Sequence, residues 1–311
     1  MGRCIVTRKL PFAALERLRA AHEVEVWRGA MPPTRAELRE LARGAEGILA
    51  LLPDAIDREL IDACPDLRAV ANFAVGTDNI DVAYARERGI AVGNTPGVLT
   101  ETTADLAFAL ILAVSRRIVE SAAAVRRGEW STWEPAGWLG HDVHGATLGI
   151  VGPGLIGEAV ARRGEGFGMR ILRSGRTPGP GRVGLDELLA GSAVVSLHCP
   201  LTPATRGLSD TDALLAMKQS AILINTARGE IVDSDALRRA LESGWIAGAG
   251  LDVTDPEPLP GHDPLLGAPN LTVLPHIGSA SHATRGRMAA MAVDNLLAGL
   301  AGEEMPSPAS G

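Results

Sequence analysis

A short apolar segment followed by a glycine-rich turn is the feature that most limits how this 311-residue chain can fold. Thr147–Val151 reads as a β-strand, residues 152–157 (GPGLIG) follow it directly, and a helical stretch comes next. In this context Gly152 allows a tight turn, Gly154 lets a pyrophosphate approach the backbone, and Gly157 lets helix and strand pack closely. The segment therefore predicts a βαβ unit that binds a dinucleotide at the N-terminus of its helix.

Strand-like and helical segments alternate along the rest of the chain. Before the turn, strands are predicted at Cys4–Thr7, Gly47–Leu51, Ala69–Asn72 and Ala91–Asn94, with helices at Leu10–Ala21, Arg35–Ala42 and Ile56–Ala63; after it, strands are predicted at Met169–Leu172, Ala193–His198, Ala221–Asn225, Gly248–Asp252 and Leu271–Pro275. Because strands that alternate with helices form parallel sheets covered on both faces, the chain is predicted to be an α/β protein with two such domains.

The chain is predicted to cross between these domains twice. A long helix beginning near Thr102 is expected to connect them, and a last helix, Ala280–Leu300, is expected to return to the first. We therefore predict a discontinuous substrate-binding (catalytic) domain at residues 1–97 and 278–311, and a dinucleotide-binding domain at 98–277. The Pro- and Ser-rich tail Glu303–Gly311 is expected to be disordered.

Composition excludes several classes of partner. The formal net charge of −7 argues against nucleic acid. The three cysteines, which are far apart and lack Cys/His metal spacing, indicate a reducing compartment and no metal site. The longest apolar run, Leu106–Val114, is far shorter than the roughly 20 residues that span a bilayer. With no signal peptide recognisable at the N-terminus, we expect a cytoplasmic protein that binds a small molecule and neither a membrane nor nucleic acid.

The end of the second strand of the dinucleotide unit bears on the cofactor. An Asp or Glu about 20 residues after the glycine turn would accept the ribose 2′-hydroxyl of NAD and repel a 2′-phosphate. The sequence instead has Arg173, Ser174, Gly175 and Arg176 there. Since Arg forms charge-assisted, often bidentate bonds to phosphate, these residues predict NADP(H) in preference to NAD(H).

Three polar side chains follow three later strands and could carry chemistry: Arg228, Glu257 and His276. In open α/β sheets, ligands bind at the carboxyl ends of the strands, so these side chains could converge there. Reduction of a 2-oxo acid needs a group that binds the carboxylate, a proton for the carbonyl oxygen, and an acid that orients the proton donor. We predict that Arg228 grips the substrate carboxylate and carbonyl oxygen. His276 then donates the proton as an imidazolium, and Glu257 orients His276 and favours its charged form.

Ordered motifs over nearly the whole chain resemble the D-isomer-specific 2-hydroxyacid dehydrogenases. The matching stretches are residues 72–81, 94–100, 152–157, 198–202, 226–229, 250–253 and 275–280. Within the family, the turn at residues 173–176, the segment Val253–Pro260 and the Trp-rich stretch Trp130–Trp138 resemble the glyoxylate/hydroxypyruvate reductases. The resemblance implies two Rossmann-like or flavodoxin-like domains with the active site in the cleft between them.

The resemblance also implies roles for individual residues. The family's Arg–Glu–His catalytic set falls on Arg228, Glu257 and His276. Substrate contacts fall on Leu51, on the loop N–H groups of Val75 and Gly76, on Arg228, and on Trp138 from a neighbouring subunit, with Trp133 as the second candidate for that tryptophan. Cofactor contacts fall on Thr103, Gly152, Gly154, Leu155, Ile156, Gly157, Pro200, Thr205, Thr226, Asp252, His276 and Gly278. The family is usually dimeric, and the corresponding region here is about residues 98–145.

Two departures from the family pattern lie near the predicted cofactor site. Leu155 stands where many members have Arg, and the segment from Thr177 to Leu185 is short and rich in Gly and Pro. Three alternative functions stay open. A 2-ketogluconate reductase or another D-2-hydroxyacid dehydrogenase would keep the fold and cofactor. A phosphite dehydrogenase is disfavoured, because Val75 stands where that pattern has Lys. A dinucleotide-sensing binding protein, like the transcriptional corepressors that share the fold, is the non-enzymatic alternative.

Overall fold

The computed structural model describes residues 1–11, 13–176, 179 and 181–309. It divides into two compact units, and the prediction of two parallel-sheet α/β domains is confirmed. Unit 1 comprises Met1–Leu99 and Ala280–Gly311, and unit 2 comprises Thr100–Ser279.

The bounds of the helices and strands follow the chain in order. The first part contains β1 (Arg3–Val6), α1 (Glu16–Ala21), β2 (Glu23–Val26), α2 (Arg35–Ala42), β3 (Gly47–Ala50), α3 (Arg58–Ala63), β4 (Ala69–Asn72), α4 (Val82–Glu87) and β5 (Ala91–Gly93). The remainder contains α5 (Thr100–Ser115), α6 (Ile118–Arg126), β6 (Thr147–Val151), α7 (Leu155–Gly166), β7 (Arg170–Ser174), α8 (Leu185–Gly191), β8 (Val194–Leu197), α9 (Thr211–Ala216), β9 (Ile222–Asn225), α10 (Ser234–Glu242), β10 (Gly248–Leu251), β11 (Leu271–Val273) and α11 (His282–Ala301).

In the described part of unit 1, the strands form a parallel sheet in the order β2-β1-β3-β4-β5. Every residue of β3 and β4 is buried, as expected for a parallel sheet with helices on both faces. Helix α11 packs closely on this sheet, because a Cβ at Gly299 would lie 2.9 Å from the Cβ of Ala69. Leu296 and Leu300 of the same helix reach Gly47 in β3. Small residues, Gly299 on α11 and Gly47 and Ala69 on the sheet, thus allow α11 to pack closely against the sheet of unit 1.

Unit 1 departs from the sequence prediction in four places. Strand β2 was not predicted, although its sequence EVEV has the alternation of charged and apolar residues that is typical of a half-buried strand. Helix α4 was also missed, although Asp81 caps it by accepting a bond from the Tyr84 N–H. The predicted helix Leu10–Ala21 begins only at Glu16.

The fourth departure is the C-terminal tail, where the expectation of disorder is wrong over the described residues. The Ala309 N–H donates to the Val92 carbonyl of β5 at 2.8 Å, and Pro308 bridges to Gly93. Met305 and Ala309 are buried. The tail is ordered because it adds backbone pairing and apolar contacts at the edge of the sheet; Ser310 and Gly311 lie outside the described residues.

Unit 2 has a parallel sheet whose described strands run in the order β11-β10-β9-β8-β6-β7. Helix α5 lies directly on β10, where glycines leave room for it. A Cβ at Gly250 would lie 3.2 Å from Leu110, and one at Gly248 would lie 2.8 Å from Val114. Among the helices that the structure describes, none is both long enough and apolar enough to cross a membrane.

Both sheets contain a point where the strand order reverses. In unit 1, β1 lies between β2 and β3, and in unit 2, β6 lies between β7 and β8. The carboxyl ends of the strands at such a switch point are where open α/β sheets bind ligands. We therefore expect ligand-binding residues in the loops after β1 and β3, and in the glycine turn after β6.

Candidate active site

The three glycines of the turn after β6 have different surroundings. Gly152 has φ +85°, and a Cβ there would lie 2.4 Å from the backbone nitrogen of Cys199. A Cβ at Gly157 would lie 2.6 Å from the Gly152 carbonyl oxygen. A Cβ at Gly154 would meet no atom of the described residues within 4 Å. Gly152 and Gly157 are thus required by the fold, whereas Gly154 keeps the space above the turn open.

This open space lies at the N-terminus of α7, whose N-cap is Gly154. The first N–H groups of a helix have no partner within the helix, and the helix dipole favours negative charge beside them. A pyrophosphate is therefore a suitable ligand for this turn. The exposed Leu155 and the half-buried Ile156 are the first residues of α7.

Arg173, at the end of β7, is already paired with acids. Its Nε lies 3.1 Å from an oxygen of Glu158, and a terminal nitrogen lies 3.6 Å from Glu165. Ser174 is half-buried and Arg176 is exposed. The predicted cation at Arg173 is therefore largely neutralised by two carboxylates of α7.

Arg228, Glu257 and His276 follow β9, β10 and β11, which are neighbours in the sheet. Nδ1 of His276 lies 2.6 Å from Oε1 of Glu257. This distance is typical of a strong, charge-assisted hydrogen bond when the imidazole is protonated. The structure therefore brings the predicted proton donor into direct contact with the carboxylate predicted to orient it.

Buried Asp252 fixes the loop that carries His276. Its carboxylate accepts the N–H groups of Ile277 and Gly278, both at 2.7 Å, and its carbonyl accepts the His276 N–H at 2.9 Å. His276 has φ +53°, a conformation that costs energy in a residue with a Cβ. Burial raises the pKa of the Asp252 carboxyl, while the two N–H donors act in the opposite direction. Asp252 thus holds His276 in a backbone conformation that it would otherwise rarely adopt.

The loop carrying Arg228 packs against the loop that leads to Glu257. The buried Asn225 side chain donates to the Arg228 carbonyl at 2.8 Å and accepts the Ala227 N–H at 3.0 Å. A Cβ at Gly229 would lie 2.0 Å from the carbonyl carbon and oxygen of Thr254. The two loops can approach this closely only because residue 229 is glycine. Arg228 itself is half-buried, and its Nη1 donates to the Ala227 carbonyl.

Other predicted cofactor residues form two local groups in unit 2. A Cβ at Gly278 would lie 3.1 Å from the Asp252 carboxylate and 3.3 Å from Thr103. After β8, the Thr205 hydroxyl donates to the Pro200 carbonyl at 2.7 Å. The structure thus places Thr103, Asp252 and Gly278 together. The Thr205 side chain stabilises the turn that begins at Pro200.

His198, a second histidine near the predicted site, was not singled out from the sequence. Its Nε2 lies 2.8 Å from the Ser196 hydroxyl, and its Nδ1 lies 3.5 Å from the Thr226 hydroxyl. Burial lowers the pKa of His198 to about 4, so the ring is neutral near pH 7. Since a neutral imidazole has one donor and one acceptor nitrogen, His198 is suited to hold Thr226 in place.

In unit 1, the predicted substrate residues lie in two loops held by buried polar groups. Asp54 accepts the Leu51 N–H at 2.7 Å and the Thr7 hydroxyl. The Asn79 side chain donates to the Leu51 carbonyl at 3.1 Å and to the Asp54 carbonyl at 3.0 Å. The loop after β3 is therefore tied to the end of β1 and to the loop after β4.

Two further asparagines hold Val75 and Gly76. The fully buried Asn72 donates to the Gly76 carbonyl at 2.7 Å and lies 3.0 Å from Oδ1 of Asn79, and Asn94 donates to the Val75 carbonyl at 2.7 Å. Because their carbonyl oxygens are bound by these side chains, Val75 and Gly76 have a fixed backbone orientation. Sequence analysis missed these asparagines, although each lies at or just beyond the end of a predicted strand.

The later part of the predicted dimer segment is open to solvent in the single chain. Every residue from Val125 to Asp142 is exposed, including Trp133 at 78% and Trp138 at 46%. The Arg117 guanidinium lies 5.2 Å from the centre of the Trp138 ring, a cation–π distance. Trp138 is therefore held by its own chain on one side of the ring.

The fold, the glycine turn and the Arg–Glu–His loops define a dinucleotide-dependent oxidoreductase. Residues 108–278 match the sequence profile described as D-isomer specific 2-hydroxyacid dehydrogenase, NAD binding domain. The chain belongs to this family of D-isomer specific 2-hydroxyacid dehydrogenases, which confirms the resemblance noted from the sequence.

Individual relatives match over nearly their whole length. The chain is 49% identical to a glyoxylate reductase of Korarchaeum cryptofilum, over 98% of this chain and 95% of that protein. It is 45% identical to the human glyoxylate reductase/hydroxypyruvate reductase, over 97% of this chain and 96% of that protein. The crystal structure of an NADPH-dependent glyoxylate/hydroxypyruvate reductase from Sinorhizobium meliloti, in complex with NADP and malonate, is 37% identical. It superposes with a TM-score of 0.88, covering 99% of this chain and 96% of that one.

Proposed function

We propose that this protein reduces glyoxylate or hydroxypyruvate to the corresponding D-2-hydroxy acid, with NADPH as the preferred reductant. The observation that carries the proposal is the 2.6 Å contact between His276 and Glu257, on loops next to the one that bears Arg228. A proton donor, its orienting acid and a cation for a carboxylate are the groups that reduction of a 2-oxo acid requires. The names of the relatives support glyoxylate and hydroxypyruvate within this class.

The bound nicotinamide would supply a hydride to carbon 2 of the substrate. Arg228 would bind the carboxylate and polarise the carbonyl oxygen. Because Nδ1 of His276 is engaged by Glu257, the proton donor is Nε2–H of the doubly protonated ring. Transfer of that proton to the carbonyl oxygen completes the hydroxyl group and leaves His276 neutral, with Nδ1–H still donated to Glu257.

We assign cofactor binding to residues 98–277 on the basis of the glycine turn. The open space above Gly154, at the N-terminus of α7, fits a pyrophosphate. The group formed by Thr103, Asp252 and Gly278 would lie toward the nicotinamide, because Asp252 also holds His276. The preference for NADP(H) rests on the Arg-rich end of β7, where no acid is available for a ribose hydroxyl.

We assign substrate binding to the remainder of the chain, residues 1–97 and 278–311. The N–H groups of Val75 and Gly76 would bind the substrate carboxylate, with Leu51 beside them. This assignment is supported by the buried asparagines that fix the orientation of this loop. It is also supported by the position of Leu51 at the β1/β3 switch point.

We further propose a cytoplasmic homodimer that uses residues 98–145. Several large apolar side chains are exposed in this region, namely Ile118, Val119, Val125, Trp130, Trp133, Trp138 and Leu139. Seven exposed large apolar side chains within 22 residues of the sequence favour an interface with another protein chain. In the dimer, Trp138 would contribute to the substrate site of the partner. Sedimentation of the purified protein tests this proposal, and a monomer at micromolar concentration would contradict it.

Substrate preference separates the proposed function from its alternatives. NADPH oxidation is to be measured in parallel with glyoxylate, hydroxypyruvate and 2-ketogluconate, and repeated with NADH. We expect the highest kcat/KM with glyoxylate or hydroxypyruvate, and a higher value with NADPH than with NADH. A preference for 2-ketogluconate would indicate the alternative reductase. Dinucleotide binding without turnover of any 2-oxo acid would indicate a sensing protein.

A further inference from the structure

Arg182 lies beside the end of β7, although it is nine residues from Arg173 in the sequence. The Arg173 N–H donates to the Gly181 carbonyl at 3.1 Å, and the Val183 N–H donates to the Arg173 carbonyl at 2.9 Å. These bonds form a parallel bridge between Arg173 and Arg182. Arg182 is therefore held in register next to the last residues of β7.

The guanidinium of Arg182 extends over the point where β7 ends. A Cβ at Gly175 would lie 2.7 Å from Nη1 of Arg182 and 3.0 Å from Cδ of Pro153 in the glycine turn. The end of this strand, beside the glycine turn, is where dinucleotide-binding folds contact the adenosine ribose at its 2′ position. A positive charge at this place would lie next to a 2′-phosphate.

Arg182 and Arg173 differ in their acidic partners. Arg173 is bound by Glu158 and Glu165. In the part of the chain that the structure describes, the side chain of Arg182 has no acidic partner within 4 Å. Both arginines line one cavity of about 370 Å³ together with Glu158, Gly179 and Gly181, and the Glu158 carboxylate in that cavity is bonded to Arg173. Of the two arginines that line this cavity, Arg182 is therefore the one whose guanidinium N–H groups are available to an anion. Its side chain is half-buried.

We propose that Arg182 binds the 2′-phosphate of NADP(H) and is the main residue that distinguishes it from NAD(H). Arg173 then serves to hold the loop, through its backbone bonds to Gly181 and Val183 and its ion pairs to α7. Gly175 is required because a side chain there would displace the Arg182 guanidinium. This inference rests on the proposed preference for NADP(H).

Binding of adenosine 2′,5′-bisphosphate and adenosine 5′-monophosphate, measured by calorimetry without substrate or turnover, tests the inference. For Arg182→Ala we expect about 10–100-fold weaker binding of the bisphosphate, as for the loss of a charge-assisted hydrogen bond. Binding of the monophosphate should change little. Gly175→Ala should weaken bisphosphate binding in the same direction without unfolding the protein, because the nearest atom that the new Cβ meets, Nη1 of Arg182, is the end of a flexible side chain. The control is Arg170→Ala, which removes an exposed arginine at the opposite end of β7.

The outcomes distinguish this inference from the cofactor proposal. If the wild-type protein prefers the bisphosphate and Arg182→Ala keeps that preference, the role of Arg182 is refuted while the NADP(H) proposal stands. If the wild-type protein binds both compounds equally, the preference for NADP(H) is itself refuted, and the inference fails with it. A loss confined to the bisphosphate in Arg182→Ala, with Arg170→Ala unchanged, supports the inference.

Discussion

In unit 1 the loops after β3 and β4 are held by the uncharged amides of Asn72, Asn79 and Asn94, whereas in unit 2 the loops after β9, β10 and β11 carry a guanidinium, a carboxylate and an imidazole. Amide side chains fix backbone orientation at any ordinary pH because they do not titrate. The charged groups of unit 2 can instead exchange protons and bind anions. Under the proposed function, the loops of unit 1 would position the substrate, and the side chains of unit 2 would carry out the proton transfer.

Both units nevertheless contain a buried aspartate whose carboxylate accepts backbone N–H groups. Asp54 binds the N–H of Leu51, and Asp252 binds those of Ile277 and Gly278. Burial raises the pKa of both carboxyls. In each unit this acid fixes a loop that bears a predicted site residue. The difference between the units therefore lies in the side chains exposed on the loops.

Removing the imidazole of unit 2 should have the largest effect on activity. We expect His276→Ala to lower kcat by about 10²–10⁴-fold, since general acid catalysis by histidine is typically worth that factor. NADPH affinity, measured by fluorescence titration, should change little. The matched control is His262→Ala, because His262 is an exposed histidine of the same unit. Full activity in His276→Ala would refute the assignment of the proton donor.

His198 should couple the stability of unit 2 to pH. Above about pH 6.5, His198 is neutral in both the folded and the unfolded chain and adds no pH dependence. Below that pH, the unfolded chain takes up a proton that the ring in the folded chain, with its pKa of about 4, does not. Its contribution therefore lowers the free energy of unfolding as the pH falls, by roughly 2–3 kcal/mol at pH 4.

His198→Gln should remove this part of the pH dependence. Urea denaturation at several pH values between 7 and 4.5 measures the difference between the two proteins. The raised pKa values of Asp54 and Asp252 act with the opposite sign, but they are common to both proteins and cancel in the difference. Parallel curves for wild type and variant would show that His198 titrates like an exposed histidine.

Neutralising the carboxylate of unit 2 should have a smaller effect than removing the imidazole. Glu257→Gln keeps an oxygen that can accept a bond from Nδ1–H of His276 but removes the negative charge. We expect kcat to fall by about 10–100-fold, as for the loss of a charge-assisted hydrogen bond. Glu242→Gln, at an exposed acid of α10, is the control. Equal kcat in the two variants would mean that the charge of Glu257 is unimportant.

Much of this architecture could be predicted from the sequence, because fully buried parallel strands such as β3, β4 and β8 appear as short apolar runs between helices. The glycine turn could also be interpreted from the sequence. A Cβ at Gly152 or Gly157 would collide with backbone atoms, so these positions must be glycine in this fold. Strand β2 and the tail were missed because their order depends on pairing with an edge that is distant in sequence.

The parts of the site that could not be predicted depend on contacts between loops. Nothing in the local sequence of Asn72 shows that it faces Asn79, or that Arg182 bridges to Arg173. The pairing of Glu257 with His276 was expected from the chemistry and is present, but the support from Asp252 appeared only in the structure. The catalytic roles themselves stay predictions until variants are measured.

The amide network of unit 1 provides the last and smallest effect. Asn72→Ala removes the donors to the Gly76 carbonyl and to Asn79. Since a lost buried hydrogen bond costs about 1–2 kcal/mol, we expect KM for the 2-oxo acid to rise by about 5–30-fold. The value of kcat should fall less, and NADPH binding should be unchanged. Asn295→Ala is the control for stability, because this equally buried amide binds the Asn94 carbonyl and the Ser307 N–H of the tail. If Asn72→Ala lowers Tm as Asn295→Ala does but leaves KM unchanged, Asn72 supports the fold of unit 1 and does not position the substrate.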